Sequence, residues 1–143
     1  MTKKLLSDKR GSLTIILIGL LFCILLLTFL VIEMGSTYYR YEQAEAILQR
    51  AANSAVESNI DDRYRADKDL RLKTLQAQLD FRAFVLLDFP DNYTVKIKSV
   101  DTTVSPPSLT AKGTIRFKTV FSQFGFRDVT FNFTVRSTNY DLK

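Results

Sequence analysis

Residues 13–32 read LTIILIGLLFCILLLTFLVI, twenty consecutive positions without a charged side chain. A helix of that length covers about 30 Å, which is the thickness of the hydrocarbon core of a bilayer. Because the run is apolar on every side, it fits a membrane span better than the buried helix of a soluble protein. It predicts a transmembrane helix over residues 13–34.

The main alternative to a span is a cleaved secretory signal peptide. The apolar part of such a peptide is usually about 7–15 residues long and ends in small residues. The run here is longer, and it ends in Val31-Ile32-Glu33, which is a poor match to an Ala-x-Ala cleavage site. We therefore expect an anchor that stays on the chain.

The charges on either side of the run indicate its orientation. Residues 1–12 contain four lysine or arginine side chains, whereas the first charge behind the run is Glu33. Positive residues close to a span tend to stay in the cytoplasm. We therefore expect a single-pass membrane protein in which residues 1–12 are cytoplasmic and residues 35–143 form an extracytoplasmic domain.

The composition excludes several classes of function. The four cations and one aspartate of residues 1–12 supply +3 of the net charge of +5, and the remaining charges alternate in sign, so nucleic acid is not an expected partner. The chain has no histidine, and Cys23 is its only cysteine, so the usual zinc sites and the Ser-His-Asp triad cannot form. The carboxylates of residues 61–69 lack the spacing of a calcium loop. We expect no enzyme activity, no catalytic residue, no metal and no cofactor.

Behind the apolar run a helical period continues to about residue 59, without an interrupting proline. The sequence predicts one helix from residue 13 to about residue 59, with Gly35 as the candidate bend. Its small or apolar stripe consists of Tyr41, Ala44, Leu48, Ala51, Ala52 and Ala55. The stripe packs on the chain's own sheet, on neighbouring helices of an assembly, or on both through different faces.

The rest of the chain predicts a second helix and a sheet. Residues 59–69 are charged and predict a loop, after which a helix is expected from Ala66 or Leu70 to Leu87. One face of this helix carries Leu72, Leu75, Leu79, Ala83 and Leu86. Apolar and polar residues then alternate with a period of two in residues 93–97, 109–118 and 129–136. This alternation is typical of an antiparallel sheet with one wet face and one face covered by helices, so the fold class is α+β.

Three phenylalanines, Phe121, Phe124 and Phe126, fall in the connection between the last two predicted strands. Loops are usually polar, so these rings need an explanation. They either fold back onto the core, which we consider the better explanation, or form a contact patch.

Three motifs follow one another in residues 9–56. They are Arg10-Gly11-Ser12 before the apolar run, Glu33-Met34-Gly35-Ser36-Thr37-Tyr38-Tyr39 after it, and Leu48-Gln49-Arg50-Ala51-Ala52-Asn53-Ser54-Ala55. In this order they resemble the TadE/TadG-like proteins of the tight-adherence (Flp) pilus systems. That family carries Arg-Gly before its span, an acidic residue, Gly and a nearby Tyr after it, and a Leu-Gln-x-Ala-Ala-Asp-Ala-Ala-type helix. Glu33 and Asn53 stand where the family tends to have Asp.

The resemblance implies a pilin-like fold and the role of a minor pilin or pilus-assembly component without catalytic activity. Its partners would be the lipid bilayer and other pilus or secretion-apparatus subunits, in a homo- or hetero-oligomer. The residues expected to serve helix packing and assembly are Glu33, Gly35, Tyr38, Leu48, Ala51, Ala52 and Ala55.

The resemblance also raises the question of processing. Prepilin-type cleavage after Gly11 would make Ser12 the first mature residue and Ile16 the fifth, where most bacterial pilins have Glu. Such a glutamate is costly in lipid and is kept for a partner. Its absence argues against a major pilin and favours a TadG-like protein that stays in the membrane. The alternative function is a membrane-tethered binding module that captures a ligand or receptor through the phenylalanine loop and the sheet edge.

Overall fold

The computed structural model of the chain describes residues 9–61 and 70–139, with side chains from residue 12 onward. The elements are α1 (Lys9–Glu57), α2 (Thr74–Asp88), β1 (Tyr93–Thr103), β2 (Ser108–Phe117), a short 3-10 turn (Ser122–Phe124) and β3 (Val129–Thr138). The strands form one antiparallel sheet in the order β1-β2-β3. The chain is therefore α+β, as predicted, and it divides into two compact units, Met1–Ser36 and Thr37–Lys143.

The described part of the first unit is the N-terminal portion of α1. Sixteen large apolar side chains between Leu13 and Met34 are 50–72% exposed. The helix is long and apolar enough to cross a membrane, and its most apolar window is not buried in the described chain. Helical conformation runs through Gly35, so the predicted long helix is confirmed as an element of secondary structure.

The second unit begins with the last turns of α1, which pack on the covered face of the sheet. Ala44, Leu48, Ala51, Ala52 and Ala55 are at most 1% exposed and belong to one apolar cluster with β2 and β3. Beside them the rings of Tyr41 and Phe131 lie 5.0 Å apart, and Gln49 Nε2 donates to the Arg136 carbonyl oxygen at 3.0 Å. The small-residue stripe thus packs on the chain's own sheet, and its area is used within the chain.

The second helix begins later than predicted, at Thr74. Leu70 is not helical, and Ala66 and most of the predicted 59–69 loop lie outside the described residues. The physical reason is that residues 71–73 are bound elsewhere. The Leu72 amide donates to the Val104 carbonyl oxygen at 3.1 Å, and the Lys73 amide donates to the Asn59 carbonyl oxygen at 3.0 Å. Leu72 is 4% exposed in the core, so its apolar character reflects burial beside α1 rather than a place on the second helix.

The leucine stripe of α2 exists, but the helix covers the sheet with another face. Ala77, Phe81 and Val85 are at most 2% exposed. Leu75 and Leu86 of the predicted stripe are 72% and 80% exposed. The spacing of apolar residues therefore predicted a leucine row on one face of the helix, but it did not show that the opposite face meets the core.

The three strands alternate as predicted, with one face buried and one wet. The buried positions of the central strand β2 include Leu109, Ala111, Gly113, Ile115 and Phe117. Strand β1 runs beyond the predicted 93–97 to Thr103, and a bulge at Lys98 interrupts its alternation. Ile97 pairs with Gly113 and Ser99 with Lys112, so Lys98 has no register partner and the alternation changes phase. That change of phase removes the simple period of two from the second half of β1.

Candidate interaction surfaces

The side chains of α2 that point away from the core form an exposed apolar surface, the leucine face. Its members are Leu75, Leu79, Leu86 and Leu87, which are 72%, 53%, 80% and 79% exposed. Ala83, on the same side, is also exposed. Scattered exposed leucines are ordinary, but a contiguous row on one helix is typical of a contact surface.

Side-chain bonds hold α2 firmly against the rest of the second unit. Asn59, two residues after the end of α1, donates from Nδ2 to Asp80 Oδ2 at 2.8 Å and to the Ala55 carbonyl oxygen at 2.9 Å. Asn59 is only 4% exposed, so these bonds satisfy an amide that would be costly to bury alone. The leucine face is therefore carried by a helix that is bonded to its neighbour at mid-length.

A second contact between α1 and α2 is an ion pair at the C-terminal end of α2. An aspartate there is disfavoured by the helix dipole, and Arg50 compensates with an ion pair to Asp88 at 3.0 Å. Because both partners are partly exposed, the pair contributes at most about 1 kcal/mol. Its main consequence is geometric, since the Arg50–Asp88 and Asn59–Asp80 contacts together make α1 and α2 antiparallel.

A second exposed apolar surface lies in the β2–β3 connection. Phe124 and Phe126 are 67% and 47% exposed, and Gly125 between them has a φ of 91°, a conformation that glycine adopts without strain. Phe121 is half-buried, and its ring centroid lies 6.1 Å from that of Phe124. The rings of Phe124 and Phe126 do not fold onto the core, which supports the second of the two explanations for this loop.

The same end of the second unit carries exposed aromatic residues of α1. Tyr38 and Tyr39 are 63% and 66% exposed. A side-chain hydrogen bond to Glu42 raises the pKa of Tyr38 above its ordinary value. Arg40, the next residue, donates from Nη1 to the Lys118 carbonyl oxygen at 2.9 Å, which joins α1 to the start of the connection. We call Tyr38, Tyr39, Val120, Phe124 and Phe126 the aromatic end of the domain.

The wet face of the sheet has a depression of about 350 Å³ lined by threonines, Lys96, Arg116 and Asp128. Arg116 and Asp128 form an ion pair at 2.9 Å. Such a mixed polar lining is ordinary for the solvated face of an antiparallel sheet. Among the described residues, no group of three or more carboxylate or cysteine side chains could hold a metal ion.

The predicted assembly residues are separated by the fold. Leu48, Ala51, Ala52 and Ala55 are buried in the core, whereas Tyr38 is exposed. Glu33 and Gly35 belong to the first unit. Gly11 and Ser12 lie in the first turn of α1, where Ser12 is exposed and the surroundings of Gly11 are outside the described side chains.

Sequence reasoning did not identify the leucine face as an exposed surface. The signal was present as the stripe of α2, but nothing in the local pattern distinguished the side that meets the core. Comparison of the chain with protein-family models, with curated proteins and with solved structures finds no match.

Proposed function

We propose that this chain is a membrane-anchored structural or assembly component, similar to a minor pilin, of a tight-adherence-type pilus or a related secretion apparatus. Its apolar segment holds it in the cell membrane with the N-terminus in the cytoplasm, and its extracytoplasmic domain contacts other subunits. The observation that carries the proposal is the leucine face of α2, an uncovered apolar row on a helix that is bonded to α1. The order of motifs in residues 9–56 favours the pilus system over other membrane assemblies.

The energetics favour an interface between proteins that are anchored in the same membrane. Burying four leucine side chains contributes on the order of 6–12 kcal/mol, and association costs about 4–15 kcal/mol. The leucine face alone would therefore bind weakly between molecules free in solution. Anchoring in one bilayer raises the effective concentration of the partners and offsets much of that cost. The anchor and the leucine face are thus two parts of one mechanism.

Site-specific photocrosslinking in native membranes tests this proposal. A photoreactive residue at Leu79 should crosslink to a pilus or secretion-apparatus subunit or to a second copy of the chain. The matched control places the same residue at Thr130, which is exposed on the wet face of the sheet. Leu79→Ser combined with Leu86→Ser should abolish co-purification of the same partner, while Leu86→Met should preserve it. Equal crosslinking from positions 79 and 130, or full co-purification with the double serine variant, would contradict the proposed interface.

The second candidate function is capture of a ligand or receptor by the tethered domain. The exposure of Phe124 and Phe126 favours it, together with the position of β3 at an edge of the sheet. Replacing both phenylalanines with serine should then abolish capture and spare the membrane complex. Loss of the membrane complex with retained capture would exclude this function for the loop.

A further inference from the structure

The aromatic end combines large rings with cations. Phe124, Phe126 and the two tyrosines are each close to half exposed or more, and Val120 is 41% exposed. Lys118 and Arg127 are exposed in the same connection, and Arg40 of α1 donates to the Lys118 carbonyl oxygen. Phenylalanine and tyrosine rings accompanied by lysine and arginine are the composition of segments that lie in the interface between lipid and water.

The carboxylates near the aromatic end reduce its net charge. Asp128 is paired with Arg116, Glu42 is hydrogen-bonded to Tyr38, and Asp91 lines a shallow depression beside Lys118. The aromatic end is therefore at most weakly basic. Contact with a membrane would rest mainly on the rings, which bury apolar area in any lipid, and less on anionic headgroups.

The length of chain between the proposed span and the aromatic end limits how far that end can lie from a bilayer that holds the anchor. Tyr38 and Tyr39 are the second and third residues of the second unit. Arg40 follows Tyr39 and donates to the Lys118 carbonyl oxygen, so within the second unit the β2–β3 connection lies at the end where the chain enters that unit. Tyr38 follows the proposed span of residues 13–34 by four residues, which reach at most about 14 Å when fully extended. A span in a bilayer therefore leaves this end of the domain within that distance of the membrane surface.

We infer that the aromatic end inserts its rings into the interfacial region of the bilayer that holds the anchor. This inference rests on the proposed membrane anchor, and it assigns the rings to lipid rather than to a captured ligand. Within the second unit, the leucine face lies away from the aromatic end. Arg50, which pairs with the end of α2, lies ten residues beyond Arg40, or about 15 Å further along α1. Contact with the interface at one end would hold the leucine face clear of lipid and available to a neighbouring subunit.

The absence of tryptophan from the chain allows a direct test with the full-length protein. Single-tryptophan variants Phe22→Trp, Phe124→Trp and Leu87→Trp would be reconstituted in phosphatidylcholine vesicles whose acyl chains are brominated either near the glycerol or near the chain middle. Phe126→Trp serves as a second probe of the loop. We expect loss of emission and a blue shift at positions 124 and 126 with bromine near the glycerol. The Leu87→Trp emission should be unchanged.

The outcomes separate the inference from the anchor on which it rests. Quenching of Phe22→Trp by mid-chain bromine, without quenching at 124 and 126, would overturn the inference and leave the anchor intact. No quenching at position 22 would overturn the anchor and the inference together. Quenching of Leu87→Trp equal to that at position 124 would overturn the proposed position of the leucine face outside the lipid.

Discussion

Gly113 is the residue at which the sheet is most closely packed. It lies in the central strand, opposite Ile97 on one side and Phe133 on the other. A Cβ atom added there would overlap the Lys96 carbonyl oxygen and lie 2.7 Å from two atoms of the Phe133 ring. Because one of these neighbours is backbone, the clash cannot be relieved by a change of rotamer alone.

Gly113→Ala should therefore destabilise the domain by roughly 1–3 kcal/mol, the usual cost of overpacking a core. The measurement is denaturant unfolding of the detergent-solubilised protein. Thr114→Ala, on the wet side of the same strand, is the control and should change the free energy of unfolding by about 0.5 kcal/mol or less. A Gly113→Ala variant as stable as this control would show that the strands can separate at this point.

Tyr93 should make the free energy of unfolding fall at alkaline pH. Burial raises the pKa of Tyr93 above its ordinary value, while Arg40 opposes the shift and Tyr39 adds to it. An unfolded tyrosine titrates near pH 10. Because the folded protein disfavours the phenolate, the contribution of Tyr93 is complete below about pH 10 and is lost as the pH rises through the folded pKa.

Tyr93→Phe should reduce this loss of stability above about pH 10 and leave the part contributed by Tyr38 and Tyr41, whose pKa values are also raised. The ring keeps its contacts with Phe89 and Phe117, at centroid distances of 5.6 and 5.5 Å. The hydroxyl contacts with Arg40 and Gln43 are long, 3.4 Å each, so their loss at neutral pH should cost about 1 kcal/mol or less. The measurement is the free energy of unfolding of both proteins at neutral and alkaline pH. Parallel curves would show that Tyr93 is not the responsible group.

At the scale of elements, alanines set the distance between α1 and the sheet. Ala52 is fully buried, so Ala52→Leu should destabilise the fold by about 1–3 kcal/mol. Ala46 is exposed on the same helix, and Ala46→Leu is the matched control. Thermal unfolding followed by circular dichroism checks both variants. If both melted at the temperature of the native protein, α1 would be packed more loosely than the buried stripe indicates.

The elements were predictable wherever a single period persists. The apolar run, the alanine stripe and the alternation around Gly113 each repeat for many residues, and all three correspond to observed elements. The start of α2 was not predictable because Leu72 is buried by backbone pairing with residues distant in sequence. The second half of β1 was hidden by the bulge at Lys98.

The candidate surfaces were less predictable than the elements. A row of leucines and a row containing Phe81 both satisfy a helical period, and only the packing against α1 and β1 decides which one is buried. The hydrogen bonds Asn59–Asp80 and Arg50–Asp88 join residues that are 21 and 38 positions apart, and no local sequence pattern predicts such pairs. For the same reason the sequence favoured a phenylalanine loop folded on the core, whereas Phe124 is 67% exposed.

At the scale of the whole molecule, the exposed apolar segment bears on whether the chain can leave the membrane for a filament. Sixteen large apolar side chains of the segment are at least half exposed. Their removal from lipid without another apolar partner would cost on the order of tens of kcal/mol. A subunit that leaves the bilayer for a filament must replace lipid with neighbouring helices, and pilins use a buried glutamate to place those neighbours. Ile16 offers no carboxylate for that purpose.

We therefore predict that the chain is not processed after Gly11 and remains a permanent membrane component. Mass analysis of the protein purified from native membranes should show residues 1–11 still joined to Ser12. Gly11→Val, which would block prepilin-type cleavage, is the control and should leave membrane location and partners unchanged. A native mass short by residues 1–11, restored to full length by Gly11→Val, would instead show a processed subunit. In that case the exposed span would have to be covered by other helices in a filament, without the glutamate that most pilins use.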